Sequence, residues 1–503
     1  MRGGLESMHV PNQFTFIAIA CCLVPLSVPL PVPLAAQNAP EFTPEIAQHI
    51  QRVENGLIGP IVIKGDAYAV HTLPSRMKEL NVPGVSIAVI HQGKIEWARG
   101  YGVTRIGGPP VTPDTMFQAG SISKPLAAMA ALHLVEQRKL SLDTDINAQL
   151  KSWKLPTDPI QAGKPVTLRE LLTHTGGTTV HGFPGYAAGA PVPTLVQVLN
   201  GAKPANTPAI RSEAAPGARW NYSGGGYTIM QQAMIDASGE PFPKLLHDTV
   251  LAPIGMTHST YGQPLPKEFQ EFAATPYHGD GRPVAGGAHT YPELAAAGLW
   301  TTPTDIARYA IEVANSLGGK ANHVLSAQMT SQMLTAGMGF WGLGLEIGGA
   351  TANPYFSHGG VNEGFVSIFV AYEKSGEGAV VMTNSDTGGT LGDEIMHSIA
   401  TEYAWPDYHP IYRTVVAVDP KILTQYAGTY TLGPNFDLVI TDEKDQLMAQ
   451  ATGQDKAPIY PESETMFFPV VVDAKIEFVK DAQGKVTSLI LHQGGRDMKA
   501  PRK

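Results

Sequence analysis

Ser121-Ile122-Ser123-Lys124, followed by Pro125 and the apolar run 126–134, is the stretch on which the reading of this chain turns. A serine is a poor nucleophile at neutral pH unless a base removes its proton. A lysine three residues on, at a helix start, projects from the same face one turn away. Phe117-Gln118-Ala119-Gly120 leads in, Pro125 suits a first helical turn, and Ala, Met and Leu fill the run that follows. The tetrapeptide alone is weak evidence, because about one Ser-x-x-Lys is expected by chance in a chain of this size. A helix start capped by a serine accounts for it equally well.

The chain has 503 residues, too many for one ordinary core, so two or three units are expected. A hydrophobic content of 43% and a charged content of 16% describe a packed globular protein. The net charge of −9, with no sustained Lys/Arg run, gives no footprint for nucleic acid. Residues 1–36 read as a secretory leader: Arg2, the apolar segment from Phe14, and small residues at Ala35-Ala36. The alternative is an uncleaved membrane anchor, which Pro25, Pro29, Pro31 and Pro33 make awkward as a continuous helix. Secretion or a periplasmic location is therefore expected, with no stable membrane span once the leader is removed. Both cysteines, Cys21 and Cys22, lie in this leader, which leaves the mature chain no thiol nucleophile, disulfide or Cys-based metal site.

Residues 85–90 and 95–101, around Gln92-Gly93, read as a hairpin. Helical patterns occupy 45–53, 168–172, 226–237, 304–315 and 393–403, and 364–372 and 378–384 are apolar enough for buried strands. Two strands near each end of this region suggest one sheet closed by both ends, with a mostly helical lobe between them. Beyond about Val418 the texture changes to seven short strand-like runs: 426–431, 438–441, 447–451, 457–460, 466–472, 475–479 and 486–491. They argue for a small separate β-barrel or sandwich. The domains expected are thus the leader, a catalytic unit over 37–417 and an accessory β unit over 418–503.

Two further segments join the Ser121–Lys124 pair. One is the turn and Gly-rich loop from Pro216 through Tyr222 to Tyr227; the other is Phe356-Ser357-His358-Gly359-Gly360-Val361-Asn362-Glu363-Gly364-Phe365. Here the chain resembles the serine β-lactamase and penicillin-binding-protein superfamily, with class C β-lactamases, D-aminopeptidases and family VIII carboxylesterases nearest. The likeness covers roughly residues 45–405. It is supported by Val166 to Gly177, Pro253-Ile254-Gly255-Met256 and Ala297 to Asp305. That family carries Ser-x-x-Lys, Tyr-x-Asn, and Lys-Thr-Gly or a His-containing variant, and all three positions occur here in order. The resemblance implies an α/β (α+β) fold, an antiparallel sheet flanked by helices plus a helical lobe.

It also implies roles. Ser121 would form an acyl-enzyme and Lys124, at least transiently neutral, would take its proton. Tyr222 would relay protons, or else anchor its loop. The backbone N–H groups of Ser121 and Val361 would form an oxyanion hole, with Gly359 and Gly360 allowing close approach. Two departures stand out. Gly224 replaces the asparagine two positions after the tyrosine, for which Gln231 or Asn362 could compensate. His358 replaces the lysine of Lys-Thr-Gly, and a partly charged histidine is a weaker carboxylate anchor, unless it is a structural residue. His174 is read as structural on the same analogy. No His-Glu-x-x-His, Gly-x-Ser-x-Gly or Gly-Lys-Ser/Thr loop is present, so neither a metal nor another cofactor is expected. The function expected is a secreted serine hydrolase acting on a small ester or peptide amide. The alternatives are a weakly catalytic penicillin-recognising protein that binds cell-wall peptides, or a β-lactamase. A third reading makes the C-terminal β unit a ligand-binding barrel.

Overall fold

The computed structural model describes residues 42–65, 70–433, 436–454, 456–493 and 496–503. The leader over 1–36, with Cys21 and Cys22, lies outside the described residues. A six-stranded antiparallel sheet is built from β1 (Gly84–His91), β2 (Lys94–Gly102), β3 (Glu346–Gly348), β4 (Tyr355–Asn362), β5 (Phe365–Tyr372) and β6 (Gly378–Thr383), in the order β2-β1-β6-β5-β4-β3. Gln92 and Gly93 both have positive φ (51° and 74°), the mirror-image turn whose twist suits a two-residue hairpin, and they set the β1–β2 pairing. β1 is buried from Gly84 to Ile90 because β6 flanks its other edge and helices cover the sheet.

Two strands of this sheet go beyond those the sequence marks. The segment carrying His358-Gly359-Gly360, read as lying ahead of a strand, is itself β4, paired with β5 from Tyr355↔Tyr372 to Asn362↔Phe365. Gly359 and Gly360 lower the local strand preference, and pairing with β5 overrides it. β3 is a three-residue addition that pairs only with Tyr355–Ser357, so the following stretch of β4 has one free edge.

Four helices position the site: α1 (Ser123–Glu136), α2 (Gly224–Ser238), α3 (Pro303–Leu317) and α4 (Gly388–Glu402). α1 is buried continuously from Ser123 to Leu132, which explains a sequence that is apolar all round. α2 starts where the Ser223 hydroxyl accepts the Gly226 N–H at 3.0 Å, and stops at Gly239 in the left-handed region (φ 72°). Tyr309 of α3 meets Phe369, whereas Gly392 of α4 lies against Ile368, one residue along β5. Alternation along the strand therefore puts α3 and α4 on opposite faces of the sheet.

After the short helix Pro420–Tyr426, eight strands follow as an antiparallel meander: β7 (Gly428–Gly433), β8 (Phe436–Glu443), β9 (Gln446–Ala451), β10 (Ala457–Pro461), β11 (Met466–Pro469), β12 (Ala474–Lys480), β13 (Val486–Gln493) and β14 (Arg496–Pro501). The last returns to the first, with Tyr430 bridged to Arg502 and the Lys503 N–H donating to Thr429 O at 2.9 Å, so the barrel is nearly closed. Tyr426 stacks on Phe478 at 4.1 Å beside Phe467 in its core. β14 is the strand that the seven runs omit. Arg413, 8% exposed, bonds Asp473 at 2.7 Å and Glu462 at 3.3 Å, tying the preceding chain to the barrel. No helix among the described residues is long and apolar enough to cross a membrane.

Candidate active site

Ser121 sits in a single 3₁₀ turn (Gly120–Ile122) that feeds directly into α1. This turn lies hard against β4. A Cβ on Gly120, whose φ is +53°, would stand 2.5 Å from Val361 N, and one on Gly360 would stand 1.9 Å from Ala119 O. Only glycine permits either approach, and together they hold the Ser121 and Val361 backbones side by side. Ser123 locks the turn: its hydroxyl donates to Gly120 O at 2.6 Å and accepts the Leu299 N–H at 3.0 Å.

Lys124 Nζ donates to Ser121 Oγ at 2.9 Å and to Ala296 O at 2.8 Å. The lysine is 2% exposed, and burial pushes its ammonium down to about 7. Neutral amine is thus a substantial fraction near pH 7, and the amine already touches the hydroxyl it would deprotonate. Tyr222 packs its ring 4.9 Å below Lys124 Nζ and its hydroxyl is in hydrogen-bonding contact with Ser121. Burial raises the Tyr222 phenol, partly offset by that contact, so it stays protonated near neutral pH and is able to donate a hydrogen bond.

Tyr222 is held by His174. The two rings lie 4.2 Å apart, His174 Nδ1 accepts the Ser223 N–H at 3.1 Å, and His174 O accepts the Asn221 N–H at 2.9 Å. Because Nδ1 accepts, a neutral His174 carries its proton on Nε2. Burial drives this histidine well below its ordinary pKa, with Lys124 and His358 adding to the effect. It grips the backbone around Tyr222, and Ser121 is bonded by lysine and tyrosine instead.

His358 is 3% exposed, and burial first, then Lys124, lowers it to about 3. The sequence suggests partial charge near neutrality; the structure makes it a neutral ring. Nδ1 contacts Gly359 O at 2.5 Å and must be the protonated nitrogen, leaving Nε2 as an acceptor with no partner.

The position of the absent asparagine is also resolved. A Cβ on Gly224 would lie 2.8 Å from Phe183 Cε2, so an aromatic ring takes the space. Neither suggested substitute is free. Gln231 donates to Pro292 O and accepts the Ala295 N–H, while Asn362 donates to Gln118 Oε1 and Ala297 O. The second bond to Lys124 comes from the Ala296 carbonyl, a contact without a side-chain signature.

Ser121, Tyr222, His358, Gly359, Gly360 and Val361 all line one cavity of about 410 Å³, which Trp341 walls at 5.4 Å from His358. Such a volume is typical of a small-molecule site. Motif reading misses Trp341 in the cavity wall, Phe183 beside Gly224 and the Ala296 carbonyl on Lys124.

A family model described as Beta-lactamase matches residues 70–400, more than half of the chain. The chain belongs to the beta-lactamase family. Members of this superfamily are serine hydrolases. A second model, described as a domain of unknown function (DUF3471), matches residues 412–500. The putative penicillin-binding protein PbpX of Bacillus subtilis (strain 168) is 27% identical, over 63% of this chain and 74% of its own length. Esterase EstB of Burkholderia gladioli is 29% identical, over 41% of this chain and 53% of its own length. The octameric penicillin-binding protein homologue from Pyrococcus abyssi shares the fold, with a TM-score of 0.59 and 22% identity over 85% of this chain and 98% of that one.

Proposed function

We propose that this protein is a serine acyl hydrolase that forms an acyl-enzyme on Ser121 and cleaves a small ester or peptide amide. The observation that carries the reading is the 2.9 Å bond from Lys124 Nζ to Ser121 Oγ, made by a lysine whose ammonium is lowered to about 7. In the first half-reaction Lys124 accepts the Ser121 proton as Oγ bonds to the substrate carbonyl carbon. The N–H groups of Ser121 and Val361 receive the developing oxyanion. Lys124 then returns the proton through Tyr222 to the leaving oxygen or nitrogen as that bond breaks. Water repeats the sequence on the acyl-enzyme and restores Ser121.

Relatives that include an esterase and a D-alanyl-D-alanine carboxypeptidase/endopeptidase support this substrate range. The second reading, a penicillin-recognising protein of weak turnover, draws on Gly224 and the Phe183 ring beside it. Export through the 1–36 leader belongs to the leading proposal, and the mass of the mature protein locates the cut.

Intact mass after incubation with a fluorophosphonate tests the nucleophile: one adduct is expected on the native chain and none on Ser121→Ala. Labelling that survives in the alanine variant removes Ser121 from the role. A β-lactam adduct that persists for hours, with no turnover of p-nitrophenyl esters, would favour the second reading.

A further inference from the structure

The cavity at Ser121 does not end at β4. It continues past Gly359 and Val361 to the face of the sheet that α4 covers, where Val366, Ile368 and Val381 form an apolar floor. The strand register confirms the shared face: Val361 opposes Val366, and Ile368 opposes both Gly359 and Val381. A Cβ on Gly359 would meet nothing nearer than 3.9 Å, so the strand is bare where the two arms join.

The roof of this arm is open because α4 carries Gly389 and Gly392, one turn apart. A Cβ on Gly389 would lie 3.7 Å from Val366 Cγ1, and one on Gly392 would lie 3.5 Å from Ile368 Cγ2. These are ordinary contact distances, and neither residue has positive φ. Packing therefore does not require glycine at either position, although glycine is a poorer helix former than alanine. What the two glycines do is leave space. Ser367, between Val366 and Ile368 on β5, turns its side chain to the opposite face, so the floor of this arm is apolar.

Charge gives the arm a polarity. Asp393 stands exposed at its rim; among the described residues it makes no hydrogen bond or ion pair, and the charged neighbours that act on it are His397, one turn on along α4, and Glu394. No lysine or arginine is among the lining residues. Lys124 is engaged with Ser121 and Ala296, His358 is neutral, and Arg76, near α4, is held by Glu394 and Glu79. A carboxylate entering this arm meets Asp393 and, among the described residues, no lysine or arginine in the lining; His397 bonds the Ile58 carbonyl through Nδ1. An ammonium meets Asp393.

We propose that the α4 arm is a substrate subsite that takes an unbranched apolar chain, favours an amine at the end of that chain and discriminates against a carboxylate. This rests on the acyl-hydrolase reading above for its place in turnover, and its binding can be measured without turnover.

Two sets of esters test it on the full mature chain. One carries a terminal methyl, amine or carboxylate on a six-carbon acyl chain, and the other carries the same groups on a six-carbon alcohol. In at least one set the amine is expected to exceed the carboxylate at least tenfold in kcat/KM. Asp393→Asn should bring that ratio towards one and Asp393→Arg should invert it. In the set that shows this preference, Gly392→Leu should lower the ratio of the methyl-ended six-carbon chain to a two-carbon chain at least tenfold, and a ratio unmoved by it would overturn the subsite. Calorimetric binding of hexylamine and hexanoate to Ser121→Ala supplies the turnover-free arm. Hexylamine should bind more tightly, and Asp393→Asn should remove the difference. Ratios unmoved by both Asp393 substitutions in both sets, or equal binding of the two ligands, overturns the subsite. Absence of ester turnover together with selective hexylamine binding would sink the hydrolase reading and leave the subsite standing.

Discussion

Lys124 and Ala296 are joined by a 2.8 Å hydrogen bond from the side-chain amine to the main-chain carbonyl, and this bond leaves the amine aimed at Ser121. A carbonyl can only accept, so Lys124 keeps its lone pair for the serine proton when neutral. With the ammonium lowered to about 7, kcat/KM for a neutral ester should rise about tenfold per pH unit below 7 and level off above it. Lys124→Arg, permanently charged, should lose on the order of 10²–10⁴ in acylation rate at every pH. Stopped-flow acylation from pH 5 to 9 checks both. A flat profile would remove Lys124 as the base.

Tyr222→Phe keeps the ring against His174 and Lys124 and deletes only the hydroxyl. The expected loss is on the order of 10²-fold in kcat with little change in stability, because the proton relay goes and the packing stays. Comparing kcat with the urea midpoint separates these effects.

His358→Lys would place a second ammonium beside Lys124. Repulsion should move the pH midpoint of activity below 7, and the new cation should raise turnover of carboxylate-bearing esters relative to neutral ones. Since native His358 is held near 3, the native enzyme should show no rate change between pH 5 and 8 that tracks histidine. A midpoint unmoved by the substitution would place residue 358 too far from Lys124 to matter.

Gly224→Asn should destabilise the protein rather than restore a family feature, because Phe183 fills the space. Overpacking of this kind costs about 1–3 kcal/mol. Adding Phe183→Ala should recover part of that loss. Urea melts of the two single variants and the double variant give the coupling directly.

Glu293 is wholly buried, and neither carboxylate oxygen has a partner in another described residue. Burial raises this carboxyl to about 7, above its value in an unfolded chain. Below about pH 4.5 it is protonated in both states and costs nothing in charge. As pH rises towards 7 the unfolded chain ionises first, and stability falls by about 3 kcal/mol in all. Glu293→Gln should therefore gain about 3 kcal/mol on the native chain between pH 4 and pH 8. An equal difference at both pH values would mean that the native carboxyl ionises freely.

Much of this molecule is legible because its signals are local. The β-branched run of β1, the turn at Gln92-Gly93 and the apolar length of α1 each announce an element without knowledge of the rest. The motif order finds Ser121, Lys124, Tyr222 and His358; the fold brings Ser121, Tyr222 and His358 to one cavity and buries Lys124 behind Ser121. What the sequence hides is long-range. β4 is a strand through its pairing with β5, despite two glycines. The same holds in the barrel, where β14 reads as a polar segment with a terminal proline until β13 is placed beside it. The Ala296 carbonyl has no letter of its own, and Phe183 is a substitute for the missing asparagine only in space. The charge state of His358 is likewise a product of burial.

The β1–β6 pairing carries one more consequence. Val85 opposes Thr383, so the centre of the sheet joins segments made about 300 residues apart. During synthesis the β1–β2 hairpin must wait, with one apolar edge unpaired, until nearly the whole catalytic unit has emerged. Loop closure over that span is slow, and an unpaired edge recruits other chains. Yield of active protein should therefore depend on how quickly the nascent chain is diluted or chaperoned, more than on the equilibrium stability of the finished fold.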